Sequence, residues 1–168
     1  MVKNILVIKH GSFGDIIQIN GCLKDLREHY LEYKIYILTT QAFNNYFNKC
    51  PFVDEVILDE KKSRWNLIYL CQLKKFFTKY KFERVFDLQN SHRTEFYRKY
   101  LSSSEWISSR TILRFNETKK EFDEKSILER FKIQLSRSKI DTQFAEKPQV
   151  SWMVDNDFQI SSEIKKII

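Results

Sequence analysis

Short apolar runs alternate along this chain with stretches whose apolar residues recur at three- and four-residue steps, the signature of strands alternating with helices. The run Ile5-Leu6-Val7-Ile8 reads as a buried strand, and Ile16, Ile19, Leu23, Leu26 and Tyr30 mark one face of the helix that follows. Residues 34–39 predict a second strand and 41–48 a short helix, before Cys50-Pro51-Phe52 breaks the chain ahead of a third strand at 53–58. The spacing predicts a helix over 64–80, with Trp65, Ile68, Tyr69, Leu73, Phe76 and Tyr80 on one side. A fourth strand at 83–88 precedes a short helix through Phe96, Tyr97 and Leu101, a strand around Trp106-Ile107, and a last strong helix over 123–137 with Ile127, Leu128, Phe131 and Leu135 inward. Strands alternating with helices argue for a parallel α/β sheet. Ile5 to Ile8 is expected as an interior strand.

The polar punctuation falls at two strand ends. Lys9-His10-Gly11-Ser12-Phe13-Gly14-Asp15 turns the first strand into its helix, and Gln89-Asn90-Ser91-His92-Arg93 follows the fourth strand. In a parallel sheet both loops emerge at one edge, outside the carboxyl ends of the strands, where open α/β sheets place ligands. Asp15 is the first candidate for chemistry. It is also well placed as an N-terminal helix residue, since carboxylate oxygens accept orphan N–H groups and suit the positive dipole end. The two roles are compatible, because a dipole that holds the carboxylate ionised keeps it available as a base. Asp87 is either an orienting residue in the same cleft or a strand-end turn residue.

Nucleotide fingerprints are missing. Gly11 and Gly14 do not complete G-x-G-x-x-G, the second strand ends at Leu38-Thr39-Thr40 without an acid, and no G-x-x-x-x-G-K-[ST] loop occurs. That argues against NAD enzymes and P-loop ATPases. Cys22, Cys50 and Cys71 are odd in number and widely spaced. Neither they nor His10, His29 and His92 adopt a zinc spacing, so reduced, partly buried thiols are expected.

At 168 residues and 42% hydrophobic content the chain suits one domain with a real core. No segment approaches the roughly 18 apolar residues of a membrane span. The net charge of +7 changes the picture because it is uneven: between Lys61 and Phe82 stand seven basic residues and no acid. These are Lys61, Lys62, Arg64, Lys74, Lys75, Lys79 and Lys81; Arg93, Arg98, Lys99, Arg110 and Arg114 follow downstream. Such clustering implies an anionic partner: a phosphorylated small molecule, a lipid surface or nucleic acid. Lys74, Lys75 and Lys79 read as a solvated helix face, whereas Lys61, Lys62 and Arg64 precede the helix in a loop, where binding is the expected role.

Residues 5–17, Ile-Leu-Val-Ile-Lys-His-Gly-Ser-Phe-Gly-Asp-Ile-Ile, resemble the opening of the bacterial lipopolysaccharide heptosyltransferases, glycosyltransferase family 9. Two further pieces fall in the family's order, Pro51-Phe52-Val53-Asp54-Glu55-Val56-Ile57 and Phe86-Asp87-Leu88-Gln89-Asn90, and the resemblance runs to about Pro148. It implies a Rossmann-like parallel sheet with helices on both faces, the N-terminal half of a GT-B glycosyltransferase. It further implies inverting, metal-independent transfer of heptose from an ADP-sugar to the lipopolysaccharide inner core, with no cofactor. In that family the N-terminal half holds the acceptor and the G-D aspartate, here Asp15, is the proposed general base. Lys9, Ser12 and Gly14 match the surrounding motif, and Gln89 and Asn90 the fourth-strand motif. Lys61, Lys62, Arg64 and Arg93 suit acceptor phosphates and carboxylates.

The implied partners are an ADP-sugar donor, held by a C-terminal domain absent from this sequence, and an anionic core acceptor. A cytoplasmic location with peripheral contact at the inner membrane face is expected, without nucleic acid. Residues 1–150 would form the acceptor-side domain and 151–168 the start of the interdomain linker. The half-domain alone is expected to be inactive. Two positions depart from the family: Gln18 stands where His is frequent, and Gly21 where Pro is common. Both bear on the acceptor more than on the fold. The Asp155-Asn156-Asp157 triplet resembles a metal-binding D-x-D, but its place just before an apolar stretch suits a helix start instead. The rivals are a non-enzymatic anion- or sugar-binding module that kept this site, and a nucleic-acid-binding α/β protein suggested by a pI of about 9.2. The latter lacks any reading motif.

Overall fold

The computed structural model describes residues 3–153, except 101, 103 and 148. Five parallel strands form one sheet: β1 (Lys3–Ile8), β2 (Tyr33–Thr39), β3 (Glu55–Leu58), β4 (Arg84–Asp87) and β5 (Glu105–Ile107). Their spatial order is β3-β2-β1-β4-β5, with β1 at the centre. Ile5 lies opposite Ile35 on one side and Arg84 on the other, so β1 is interior, as its unbroken apolar run predicts. The helices are α1 (Phe13–Gln18), α2 (Asn20–His29), α3 (Asn44–Asn48), α4 (Leu67–Tyr80), α5 (His92–Tyr100), α6 (Lys119–Asp123) and α7 (Ile127–Arg137).

Alternation along the strands builds two cores. Ile5 and Val7 of β1 and Ile35 and Ile37 of β2 face α1, α2, α3 and α7, meeting Ile16, Leu23, Leu26, Phe47, Phe131 and Leu135. Leu6, Ile8, Tyr36 and Leu38 face the other way onto Tyr69, Leu73 and Phe77 of α4 and Tyr97 of α5. Helices on both faces of a parallel sheet make this the α/β, Rossmann-like layering that the sequence implies.

Three helix boundaries differ from the periodic reading, and each difference is local. The helix expected from Ile16 to Tyr30 is two, turning at Ile19. Just past the turn, a side chain on Gly21 would meet the Phe144 carbonyl oxygen at 2.0 Å, so a glycine there lets the 144–147 segment press against α2. Asp25 fastens the same segment, accepting the Gln143 and Phe144 N–H groups at 3.0 Å each. The last helix begins at Ile127 because Ser126 caps it, accepting the Glu129 N–H at 3.2 Å. Likewise α4 starts at Leu67, where Asn66 accepts the Tyr69 N–H at 3.0 Å. That start leaves Trp65 and Ile68 outside the buried stripe, and both are exposed, against the expectation that they pack inward. The Asp155-Asn156-Asp157 triplet and the expected linker beyond 153 lie outside the described residues.

Candidate active site at the carboxyl edge of the sheet

The chain runs from β1 outward to β2 and β3, then returns to the opposite side of β1 for β4, so the strand order reverses between β1 and β4. Loops diverge at such a point and leave a crevice. The two polar clusters read from the sequence meet there. The His10 backbone N–H donates to Gln89 Oε1 at 2.9 Å, and Lys9 Nζ donates to the Leu88 carbonyl at 3.4 Å. Gln89 thereby ties one loop to the other.

Asp15 is the third residue of α1. Its Oδ2 accepts the Ser12 N–H at 3.4 Å and lies 3.8 Å from Lys9 Nζ. Among the described residues no hydrogen bond falls on Oδ1, and a third of the side chain (34%) is exposed. The carboxylate is held by one oxygen and offers the other. Gly11 is required by this geometry, because a Cβ there would approach Asp15 Oδ2 to 2.5 Å. Gly14 is different: a Cβ would meet nothing within 4 Å, so the fold leaves space over the first turn of the helix. Lys9 is buried, with 3% of its side chain exposed. Burial pushes its ammonium below the usual lysine value, against the pull of the Asp15 and Asp87 carboxylates. It also lies 5.3 Å from the centre of the Phe131 ring.

The loop after β4 is a turn built on Asp87. Its Oδ1 accepts the N–H groups of Gln89 at 3.1 Å and Asn90 at 2.9 Å, and Asn90 takes up a left-handed backbone with φ of 53°. Asp87 is thus a turn former. Burial raises its carboxyl to about 6, although the turn N–H groups pull the other way. Asn90 donates to Gln134 Oε1 at 3.1 Å and accepts the Ser109 N–H at 2.6 Å. Gln134, fully buried on α7, returns two bonds of 2.9 Å to the carbonyls of Asp87 and Ile107. Asn90 and Gln134 therefore close the ends of β4 and β5 beneath the crevice.

A second cluster, absent from the sequence reading, centres on Asp59 just after β3. Its carboxylate is buried and takes the Lys61 N–H at 2.8 Å, the Tyr97 hydroxyl at 2.8 Å and the Tyr69 hydroxyl. His10 Nε2 lies 3.0 Å from its Oδ2. Burial alone would raise this carboxyl, but the His10 and Tyr69 contacts and the Lys61 N–H outweigh it and hold the group well below the usual carboxylate range. The β1 loop, α4 and α5 meet on this one acid beside its own loop. The only sequence signal for it is an acid directly after a strand.

The expected anion-binding residues are divided by this arrangement. Arg93 donates to the Lys61 and Lys62 carbonyls at 3.0 Å each and to the Tyr97 hydroxyl at 3.1 Å, so its guanidinium pins the β3–α4 loop. Lys61, with φ of 50°, and Lys62 project from that loop, and Lys62 pairs with Glu60. Arg64 lies 5.9 Å from the Phe96 ring centre and lines a cleft of about 390 Å³ between the loop and α5. Ser12 is exposed at the mouth of the β1 loop. The structure brings Lys9, Ser12, Gly14, Asp15, Gln89 and Asn90 to the crevice, places Lys61, Lys62 and Arg64 on the loop beside it, and sets Arg93 on α5, from which it holds that loop. Among the described residues no group of His, Cys, Asp and Glu could hold a metal ion.

No protein-family model matches this chain, and no curated protein matches it by sequence. Its fold is similar to that of a family 9 glycosyl transferase from Veillonella parvula, with a TM-score of 0.60, 17% identity, and coverage of 83% of this chain and 42% of that one. It is similar to the E. coli heptosyltransferase WaaC with ADP-2-deoxy-2-fluoro heptose, with a TM-score of 0.60 and 13% identity over 83% of this chain and 49% of that one. The WaaC structure with ADP gives a TM-score of 0.58 and 12% identity over 83% and 48% of the two chains. The chain spans less than half the length of these solved structures. At these identities the likeness is one of fold, the glycosyltransferase-like α/β fold that the three sequence motifs imply.

Proposed function

We propose that this domain is the acceptor-binding half of a GT-B glycosyltransferase, and that it carries the base for heptose transfer from ADP-heptose to an anionic lipopolysaccharide-core saccharide. The observation that carries the reading is Asp15, a half-open carboxylate at the strand-order reversal beside a buried lysine, in a fold shared with WaaC. Oδ1 accepts the acceptor hydroxyl's proton as that oxygen attacks the anomeric carbon, and the nucleotide diphosphate leaves from the opposite face. Such base catalysis contributes roughly 10²–10⁴-fold. Lys9 Nζ, 3.8 Å from Oδ2, sets a positive charge beside the carboxylate. Lys61, Lys62 and Arg64 meet the acceptor's phosphates and carboxylates, and Arg93 sets their reach by holding the loop.

The test joins this chain to a donor-binding domain, fused or supplied separately, and measures transfer from ADP-heptose to a phosphorylated core oligosaccharide. The 168-residue chain alone should give no product but should bind the oligosaccharide weakly, with affinity falling as salt rises. In the joined enzyme Asp15→Asn should remove most turnover while leaving acceptor binding within a few-fold, because a general base contributes in the transition state. Turnover within a few-fold of wild type would leave Asp15 as a helix-terminal residue and end the mechanistic reading. Lys61→Ala and Arg93→Ala should each weaken acceptor binding.

A further inference from the structure

Between β1 and α1 only Lys9 and His10 are buried. Lys9 belongs to the site already described, but the His10 side chain has no part in it. His10 is gripped from two sides. Its backbone N–H donates to Gln89 Oε1 at 2.9 Å, on the loop after β4, and its imidazole Nε2 lies 3.0 Å from Asp59 Oδ2, on the loop after β3. Among the described residues Nε2 has no other partner. The Asp59 end is fixed independently, because its backbone N–H donates to the Thr39 carbonyl at 2.7 Å at the end of β2. The imidazole therefore joins the loops of β1 and β3, two strands that β2 separates.

Both contacts on Asp15 Oδ2 come from residues that bracket His10: Lys9 Nζ at 3.8 Å just before it, and the Ser12 N–H at 3.4 Å two residues after it. Gly11 lies between them and passes so close that a Cβ would approach Oδ2 to 2.5 Å. A displacement of His10 moves all three against the carboxylate. Asp59 meanwhile holds the neighbouring loop, taking the Lys61 N–H at 2.8 Å and the hydroxyl of Tyr97, which Arg93 also reaches. One acid thus references the Asp15 loop and the basic β3–α4 loop to each other. An apolar residue of similar size would fill the space of the ring without the desolvation cost of a buried polar pair. What the imidazole adds is a directed bond, which fixes the loop in angle as well as distance.

We propose that His10 is a positioning residue for the transfer reaction: its Nε2–H bond to Asp59 holds the β1 loop in the place that leaves Asp15 Oδ1 open to the acceptor. The inference rests on the reading of Asp15 as the base, and it adds a residue that touches neither sugar nor the proton in transfer. His10 is not itself the base, because 3% of its side chain is exposed and Nε2 is taken up by Asp59. In either charge state of the ring the bond requires hydrogen on Nε2, so the arrangement can be read without turnover. Gln carries an amide nitrogen that can donate from near the Nε2 position, whereas Leu fills the volume without a donor. Loss of the bond lets the base shift, and a misplacement of about 1 Å costs roughly 10²-fold in rate.

The test has a spectroscopic arm and a kinetic arm. In the 168-residue chain, nitrogen–proton correlation spectra of the imidazole should show hydrogen on His10 Nε2. A ring with hydrogen on Nδ1 alone would overturn the proposal. The amide signals of Gly11, Ser12 and Asp15 should move in His10→Leu and return toward wild type in His10→Gln, and amides unmoved in His10→Leu would overturn it too. In the enzyme completed by a donor-binding domain, His10→Leu should lower kcat about 10²-fold while acceptor KM stays within a few-fold, and His10→Gln should recover most of the loss. Adding His10→Leu to Asp15→Asn should cost little further, because residues that act through one group are not additive. A loss that adds in full, or that falls on KM instead of kcat, would make His10 a general support and refute its positioning role. If His10→Leu does not fold, the wild-type imidazole spectrum still decides. Turnover unchanged by Asp15→Asn would remove the base and this proposal with it, whereas failed loop spectra beside an intact Asp15 effect would sink this proposal alone.

Discussion

The two loops at the carboxyl edge of the sheet handle a carboxylate in opposite ways. After β1, Asp15 sits near the surface with two contacts on one oxygen and the other oxygen open. After β3, Asp59 is buried and surrounded by a histidine contact, two tyrosine hydroxyls and a backbone N–H. The first arrangement suits exchange of a proton with something arriving from outside. The second satisfies an acid so fully that it becomes part of the scaffold, and the scaffold then holds an exposed apolar surface above it. Openness at the first loop depends on fixed support from the second, because His10 belongs to the β1 loop yet rests on Asp59.

The largest expected effect separates the two acids by stability. Asp59→Ala should cost about 3–5 kcal/mol, because it removes the charged acceptor on which the buried Tyr69 and Tyr97 hydroxyls, the Lys61 N–H and His10 converge. Asp15→Ala should cost about 1 kcal/mol, the value of a helix-terminal contact. Urea unfolding of the two variants decides the matter, and equal losses would break the contrast.

Acid titration sharpens it next. Asp59 has a depressed folded value, so its stabilisation is complete above its unfolded value near 4 and is lost as pH falls below that. Asp87 is raised to about 6, so its sign is reversed: the folded state binds the proton more tightly, and stability should rise as pH falls from 7 toward 4, by up to about 3 kcal/mol. Melting temperature should therefore climb on mild acidification and collapse below pH of about 4. Asp87→Asn should flatten the first limb. A wild-type profile that only declines from neutral pH would refute that assignment.

The glycines of the β1 loop come after these. Gly11→Ala should displace the Asp15 carboxylate and lower transfer in the joined enzyme, at a stability cost of about 1 kcal/mol, since 2.5 Å must open to ordinary contact. Gly14→Ala has open space within the helix and should stabilise by up to about 1 kcal/mol. If Gly14 keeps that space for the acceptor, the same change raises melting temperature while weakening acceptor binding. The smallest effect is expected at the rim, where Lys62→Ala loses its surface pair with Glu60 and should shift stability by less than about 1 kcal/mol.

Much of the site was legible because its loops follow strands whose apolar runs are unmistakable. Lys9 to Asp15 and Gln89 to Asn90 could be assigned to one edge once the strands were read as parallel. Arg93 was legible as a residue near the site, but its bonds to the Lys61 and Lys62 carbonyls depend on where α5 meets a loop some thirty residues earlier. Tyr69 and Tyr97 read as apolar-face residues, which they are, since both rings are buried. Their hydroxyl partner was invisible because Asp59 lies in another segment. Trp65 misled for a related reason: periodicity extended the helix back to 64, while the Asn66 cap starts it at 67 and turns Trp65 outward.

The sequence by itself determined the layers, the central place of β1 and the two polar strand ends, because burial periodicity and strand-to-helix turns are set by neighbours a few residues apart. Only the tertiary structure decided which acid is open and which is enclosed, which cations are spent on carbonyls, and which apolar side chains find no interior. Those outcomes depend on segments brought together across the sheet, and the free energy of a buried charge is set by the partners that close around it.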